Sequence, residues 1–136
     1  MEQTTAGDLL FVSPIREDQA ALRRIAGVHA TIPAASCRQA FRCLGRDRFE
    51  VVFCESDLPD GSWLEVLDRI ADLYDPPPLI VTSRLADGHL WSKVLNLGGF
   101  DVLSTPFREP EVRHALQSAR AHRTGPARVG RRAAGA

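Results

Sequence analysis

The sequence predicts an α/β fold, a doubly wound parallel sheet of five strands with helices on both faces. Short apolar runs recur along the chain, such as Leu9-Leu10-Phe11-Val12 and Leu79-Ile80-Val81. Runs of this kind suit strands buried on both faces. Between them, apolar residues fall at helical spacing. Strands and helices therefore alternate, which implies parallel βαβ units with right-handed crossovers. A length of 136 residues and an apolar content of 44% fit one domain with its own core.

Each element has a local reason. Leu9 to Val12 is the first strand, and Pro14 stops it. From Arg16 to Ala26, Ala21, Leu22 and Ile25 form one helical face, with Gly27 as the stop. Val28 to Ile32 is a weaker strand, closed by Pro33. Ser36 is an N-cap for a helix from Cys37 to Leu44, and Gly45 ends it. Phe49 to Cys54 is the third strand, and Leu58-Pro59-Asp60-Gly61 signals a turn. Trp63 to Tyr74 is helical, with Leu64, Leu67, Ile70 and Ala71 on one face, until Asp75-Pro76-Pro77-Pro78 breaks it. Leu79 to Thr82 is the fourth strand. Asp87 or Gly88 opens a helix that Gly98-Gly99 stops, Asp101 to Leu103 is the fifth strand, and Glu109 to about His122 is the last helix. In such sheets the functional site lies at the carboxyl ends of the strands. Here those ends are Ser13-Pro14, Glu55 to Asp57, Thr82-Ser83 and Ser104-Thr105.

The formal net charge is zero, but the charge is unevenly spread. All seventeen acids lie at or before Glu111, and six of the seventeen basic residues follow it. Residues 1–112 thus carry −6 and residues 113–136 carry +6. Residues 123–136 are dominated by Arg, Gly and Ala, cannot bury a core, and read as a disordered tail. Without aromatics or a helix-turn-helix pattern, the tail makes nucleic acid an unlikely partner. Residues 1–7 read as a flexible terminus without a signal-peptide pattern. No apolar run approaches the ~18 residues of a membrane span. Three cysteines make no disulfide scaffold, so a cytoplasmic setting is expected. The four histidines and three cysteines show no metal-ligand spacing. No nucleotide-binding glycine motif and no Gly-x-Ser-x-Gly elbow is present, so cofactors are expected to be absent.

Two segments carry a resemblance. Glu55-Ser56-Asp57-Leu58-Pro59-Asp60-Gly61 is similar to the part of bacterial response-regulator receiver domains that runs from the phosphoacceptor Asp to a Gly-rich turn. Ser83 to Pro106, with Leu97-Gly98-Gly99 and Thr105-Pro106-Phe107, is similar to their switch residue, fourth helix and Lys-Pro-Phe. The resemblance spans about residues 8–121. It implies a (βα)5 fold like that of flavodoxin and CheY, with strand order 2-1-3-4-5 and a receiver-like domain over residues 8–122.

The chemical positions depart from the family's pattern. The acidic pair that holds Mg²⁺ in receivers is matched by Ser13 and Pro14, and the phosphoacceptor by Glu55. The phosphoryl-contacting lysine is matched by Thr105, before Pro106. The switch pair is matched by Ser83 and Val102. With neither Mg²⁺ nor lysine to offset the charge of a phosphoryl group, the resemblance implies a pseudo-receiver with no bound metal and no enzymatic activity. Its expected role is phosphorylation-independent protein–protein interaction in signal transduction, with a histidine kinase or an output protein as partner. The alternatives are a phosphorylatable response regulator served by a histidine kinase, and an adaptor touching nucleic acid through the basic tail.

Glu55 is one methylene longer than Asp. It either reaches Ser83 and imitates a phosphorylated state or is a solvated loop acid. Trp63 either covers the vestigial pocket or packs at a helix start. By resemblance, Trp91 lies on the face formed by the fourth helix, fifth strand and fifth helix, which receivers use for partners and dimers. His89, Trp91 and Val94 are the expected partner-binding residues there, and the same face is the expected homodimer contact.

Overall fold

Leu9–Val12 forms β1, with all four side chains buried. In this computed structural model, residues 8–27 and 29–124 are described. The chain continues through α1 (Arg16–Ala26), β2 (Thr31–Ala34), α2 (Cys37–Arg46) and β3 (Val51–Glu55). A short hairpin of β4 (Asp57–Leu58) and β5 (Gly61–Ser62) leads into α3 (Trp63–Ala71). Then come β6 (Leu79–Ser83), α4 (Gly88–Leu97), β7 (Asp101–Ser104) and α5 (Glu109–Thr124).

The main sheet has five strands in the order β2-β1-β3-β6-β7, all paired in parallel. Without the small hairpin, this is the expected order 2-1-3-4-5. Strand alternation divides the core in two. Leu10, Val12, Val52, Cys54, Leu79 and Val81 meet α2, α3 and α4 on one face. Leu9, Phe11, Val51, Phe53 and Ile80 meet α1 and α5 on the other.

Several boundaries differ from the expectation, for identifiable reasons. β2 runs through Pro33 instead of stopping before it. β2 lies at the sheet edge, where a strand tolerates the missing N–H. Gly45 lies inside α2, which ends when the Asp47 N–H donates to the Cys43 carbonyl. α3 stops at Ala71, leaving Tyr74 91% exposed. α5 continues through Thr124, two residues past the expected boundary. The expected flexible terminus (1–7) lies outside the described residues, as does most of the basic tail (125–136).

The hairpin does more than turn the chain. Asp60 accepts hydrogen bonds from the Cys37 and Arg38 N–H groups at 2.8 and 3.1 Å, capping α2 from a distant loop. These bonds hold its carboxyl below the usual value. Ser62 and Glu65 form a capping box at the start of α3. At the other end of the sheet, Gly98 ends α4 with φ 108°, a conformation that favours glycine. A Cβ on the next residue, Gly99, would run into Val94. Among the described residues, no helix is long and apolar enough to cross a membrane.

Candidate functional site

The carboxyl ends of β1, β3, β6 and β7 converge as the topology requires. On β3, Glu55 follows Val51 and Phe53 in two-residue alternation, so its side chain falls on the α1–α5 face. It is buried, and its Oε1 accepts a hydrogen bond from Thr82 Oγ1 at 2.9 Å. Glu55 and Thr82 are register partners across the β3–β6 ladder. Neither alternative for Glu55 holds: it is a buried residue at the end of β3, not a solvated loop acid, and it makes no contact with Ser83. Ser83 is one residue on, so alternation directs its side chain to the opposite face. Its hydroxyl accepts from the Leu85 N–H at 3.0 Å and shapes the loop before α4.

The positions that match the acidic pair are occupied locally. Ser13 is buried, and its hydroxyl accepts from the Ile15 N–H at 3.1 Å, closing a turn before α1. Pro14 is exposed. Gln19 reaches over this end of the sheet and donates to the carbonyls of Phe11, Ser13 and Ala34 at 2.8, 3.1 and 3.2 Å. Thr105, at the lysine position, is buried beside β6. Its N–H donates to the Ser83 carbonyl at 3.1 Å. The Thr105–Pro106 peptide is cis, and Phe107 packs its ring on Phe11.

Asp18 and Arg84 were not singled out from the sequence. Asp18, in the first turn of α1, is only 3% exposed. A signal existed, because Asp18 stands four residues before Leu22 on the stripe that α1 buries. Burial pushes the Asp18 carboxyl up, Arg84 draws it down, and Glu17 pushes it up further. Burial likewise pushes Glu55 up. Against this work the Thr82 hydrogen bond and Arg84, while the charges of Asp18 and Asp57 add to the rise. Asp18 Oδ2 and Thr105 Oγ1 are buried and hydrogen-bonded to none of the described residues. No cluster of three or more His, Cys, Asp or Glu side chains among those residues is arranged to hold a metal ion.

The two tryptophans separate cleanly. Trp63 is buried in the core with Cys54, Leu58 and Val66, on the face opposite Glu55, so it packs at a helix start and does not cover the pocket. Trp91 is 49% exposed on α4, and His89 beside it is exposed. Val94 corrects the expected partner face. It is fully buried and belongs to the core, because three residues turn the helix by about 300°, which sets Val94 about 60° to the side of Trp91, toward the sheet. Val102, matching the switch aromatic, is half-buried against the same core.

The response-regulator receiver-domain family matches residues 15–117. This chain belongs to that family. Its solved relatives share the fold over nearly their whole length. A two-component response regulator from Clostridium difficile is 16% identical, with TM-score 0.77, covering 90% of this chain and 100% of that one. The beryllofluoride-activated NtrC4 receiver domain, solved as a dimer, is 18% identical, with TM-score 0.79 and coverage of 87% and 99%. The chemotaxis response regulator CheY4 of Vibrio cholerae is 18% identical, with TM-score 0.74 and coverage of 85% and 99%. No curated protein matches the sequence. The chain is therefore a receiver domain of two-component signalling.

Proposed function

We propose that this receiver is a protein–protein interaction module that works without phosphoryl control, binds no Mg²⁺ and catalyses no reaction. The observation that carries this reading is what occupies the three positions that match the family's chemical groups. Glu55 is buried and tied to Thr82, Ser13 is spent on a turn, and the lysine position is a buried threonine. Mg²⁺ demands charged oxygens in near-octahedral array, and this donor set does not fit it. Ser13 and Pro14 bring no charge, Glu55 is bonded to Thr82, and the charge of Arg84 acts on both Asp18 and Glu55. Phosphoryl transfer relies on positioned cations to offset the charge that develops, and none stands at position 105.

Partner binding falls to the α4–β7–α5 face, where Trp91 offers an exposed aromatic anchor. The partner is a histidine kinase or an output protein, and a second copy on the same face would give a homodimer, the state in which the NtrC4 relative was solved. Incubation with acetyl phosphate and Mg²⁺, followed by intact mass measurement, tests the reading. The expected result is an unmodified chain. A stoichiometric phosphorylated species that depends on Mg²⁺ would overturn it.

A further inference from the structure

α4 and α5 stand apart over the end of β7 and leave a notch of about 370 Å³. One wall carries Asp87 and Trp91, the floor includes Val102 and Ser104, and the other wall carries Glu111. Of the residues lining it, the only charged ones are the two acids. Asp87 uses Oδ1 to cap α4, accepting from the Leu90 N–H at 2.9 Å. Glu111 is exposed in the first turn of α5.

We propose that this notch receives an arginine side chain of a partner protein, its guanidinium stacked on Trp91 between the carboxylates of Asp87 and Glu111. The inference rests on the reading that α4–β7–α5 is the partner face, and it names the partner's chemistry there. An aromatic wall between two acids suits a planar cation, which stacks on the ring and offers several donors in fixed directions. An ammonium meets the same charge but loses the planar stacking. Each acid also complements the positive end of its own helix, so part of its charge is spent before a partner arrives. Neutralising one acid is therefore an informative variant.

The test uses the full chain, isotopically labelled, titrated with a Gly/Ser peptide bearing one arginine and with its lysine and citrulline counterparts. Citrulline keeps the shape and removes the charge. The expected result is NMR shifts centred on the Trp91 indole N–H, Gly88, Ser104 and Glu111. The lysine peptide should bind several-fold more weakly, and the citrulline peptide should give no response. Glu111→Gln, an exposed change that spares the fold, should weaken the arginine peptide several-fold, and Trp91→Ala should abolish its binding. Equal responses to arginine and citrulline, shifts scattered over other acidic surface, or an unaltered Glu111→Gln titration would overturn the proposal. Notch shifts that grow with protein concentration before any peptide is added would overturn it in favour of a second copy as occupant. Failure here with an unmodified chain under acetyl phosphate removes only the arginine partner, whereas phosphorylation removes phosphoryl independence and leaves the notch to its own result.

Discussion

Thr82 donates its hydroxyl to the Glu55 carboxylate at 2.9 Å, and the two residues face each other across the β3–β6 ladder. Glu55 is thus held by its own sheet. The loop before α4 is shaped separately, by Ser83 and Leu85. A carboxylate bound this way has no direct bond to Ser83.

Thr82→Val keeps the branched shape and removes the donor, leaving Glu55 buried without that bond. An orphaned buried acceptor costs about 1–3 kcal/mol. The denaturant midpoint at neutral pH should fall accordingly, and Thr82→Ser should lose less because it keeps the hydroxyl. Equal losses from the two changes would assign the effect to packing.

The same end of the sheet makes stability depend on pH. The Asp18 and Glu55 carboxyls are raised above their ordinary values of 3.8 and 4.5, in each case chiefly by burial. Asp8 is raised too, by burial and by Asp47 and Glu50. A carboxyl raised in the folded state contributes stability that is full below its unfolded value and is lost as pH rises through its folded value. Stability should therefore decline as pH climbs upward from the ordinary carboxyl range. Asp18→Asn should flatten this decline and exceed the parent in stability at neutral pH, as read from urea midpoints across the range. A parallel pH profile for the variant would contradict the assignment.

The legible part of the fold was the part set by local pattern. β1 and β6 are continuous apolar runs, and α4 is bracketed by Asp87 and Gly98, so their positions followed from neighbouring residues. Other features depended on what lay across the sheet. Pro33 is acceptable because β2 is an edge strand, and Asp60 caps α2 from more than twenty residues away. Which residues stand at the carboxyl ends of the strands was legible in the sequence, but their bonding was not. Whether Glu55 met Thr82 or Ser83 was decided by the register of two strands, which a linear reading does not supply. Asp18 was hidden because an acid in the first turn of a helix reads as dipole complementation.

Trp91 and Val94, three residues apart on α4, should separate binding from stability. Trp91→Ala removes a half-exposed ring and should leave the thermal midpoint nearly unchanged while abolishing binding at the α4–β7–α5 face. Val94→Ala removes buried methyls from the core and should cost about 2 kcal/mol. Partner affinity measured on folded Val94→Ala protein should stay close to that of the parent. Loss of binding by Val94→Ala with Trp91→Ala unaffected would reverse the assignment of the two side chains.

If the proposed reading holds, supplying single chemical groups should not confer phosphorylation. Thr105→Lys supplies the missing ammonium but no site for Mg²⁺, so acetyl phosphate should still leave the chain unmodified by intact mass. Ser13→Asp with Pro14→Asp supplies two charged oxygens where Mg²⁺ needs them. A carboxylate at position 13 can still accept from the Ile15 N–H, so the turn before α1 should survive. Mg²⁺ binding should then become measurable by titration. It should strengthen when Arg84→Gln is added, because the charge of Arg84 already acts on Asp18 and Glu55. Binding of Mg²⁺ that is equally strong with and without Arg84 would show that the guanidinium does not compete for these carboxylates.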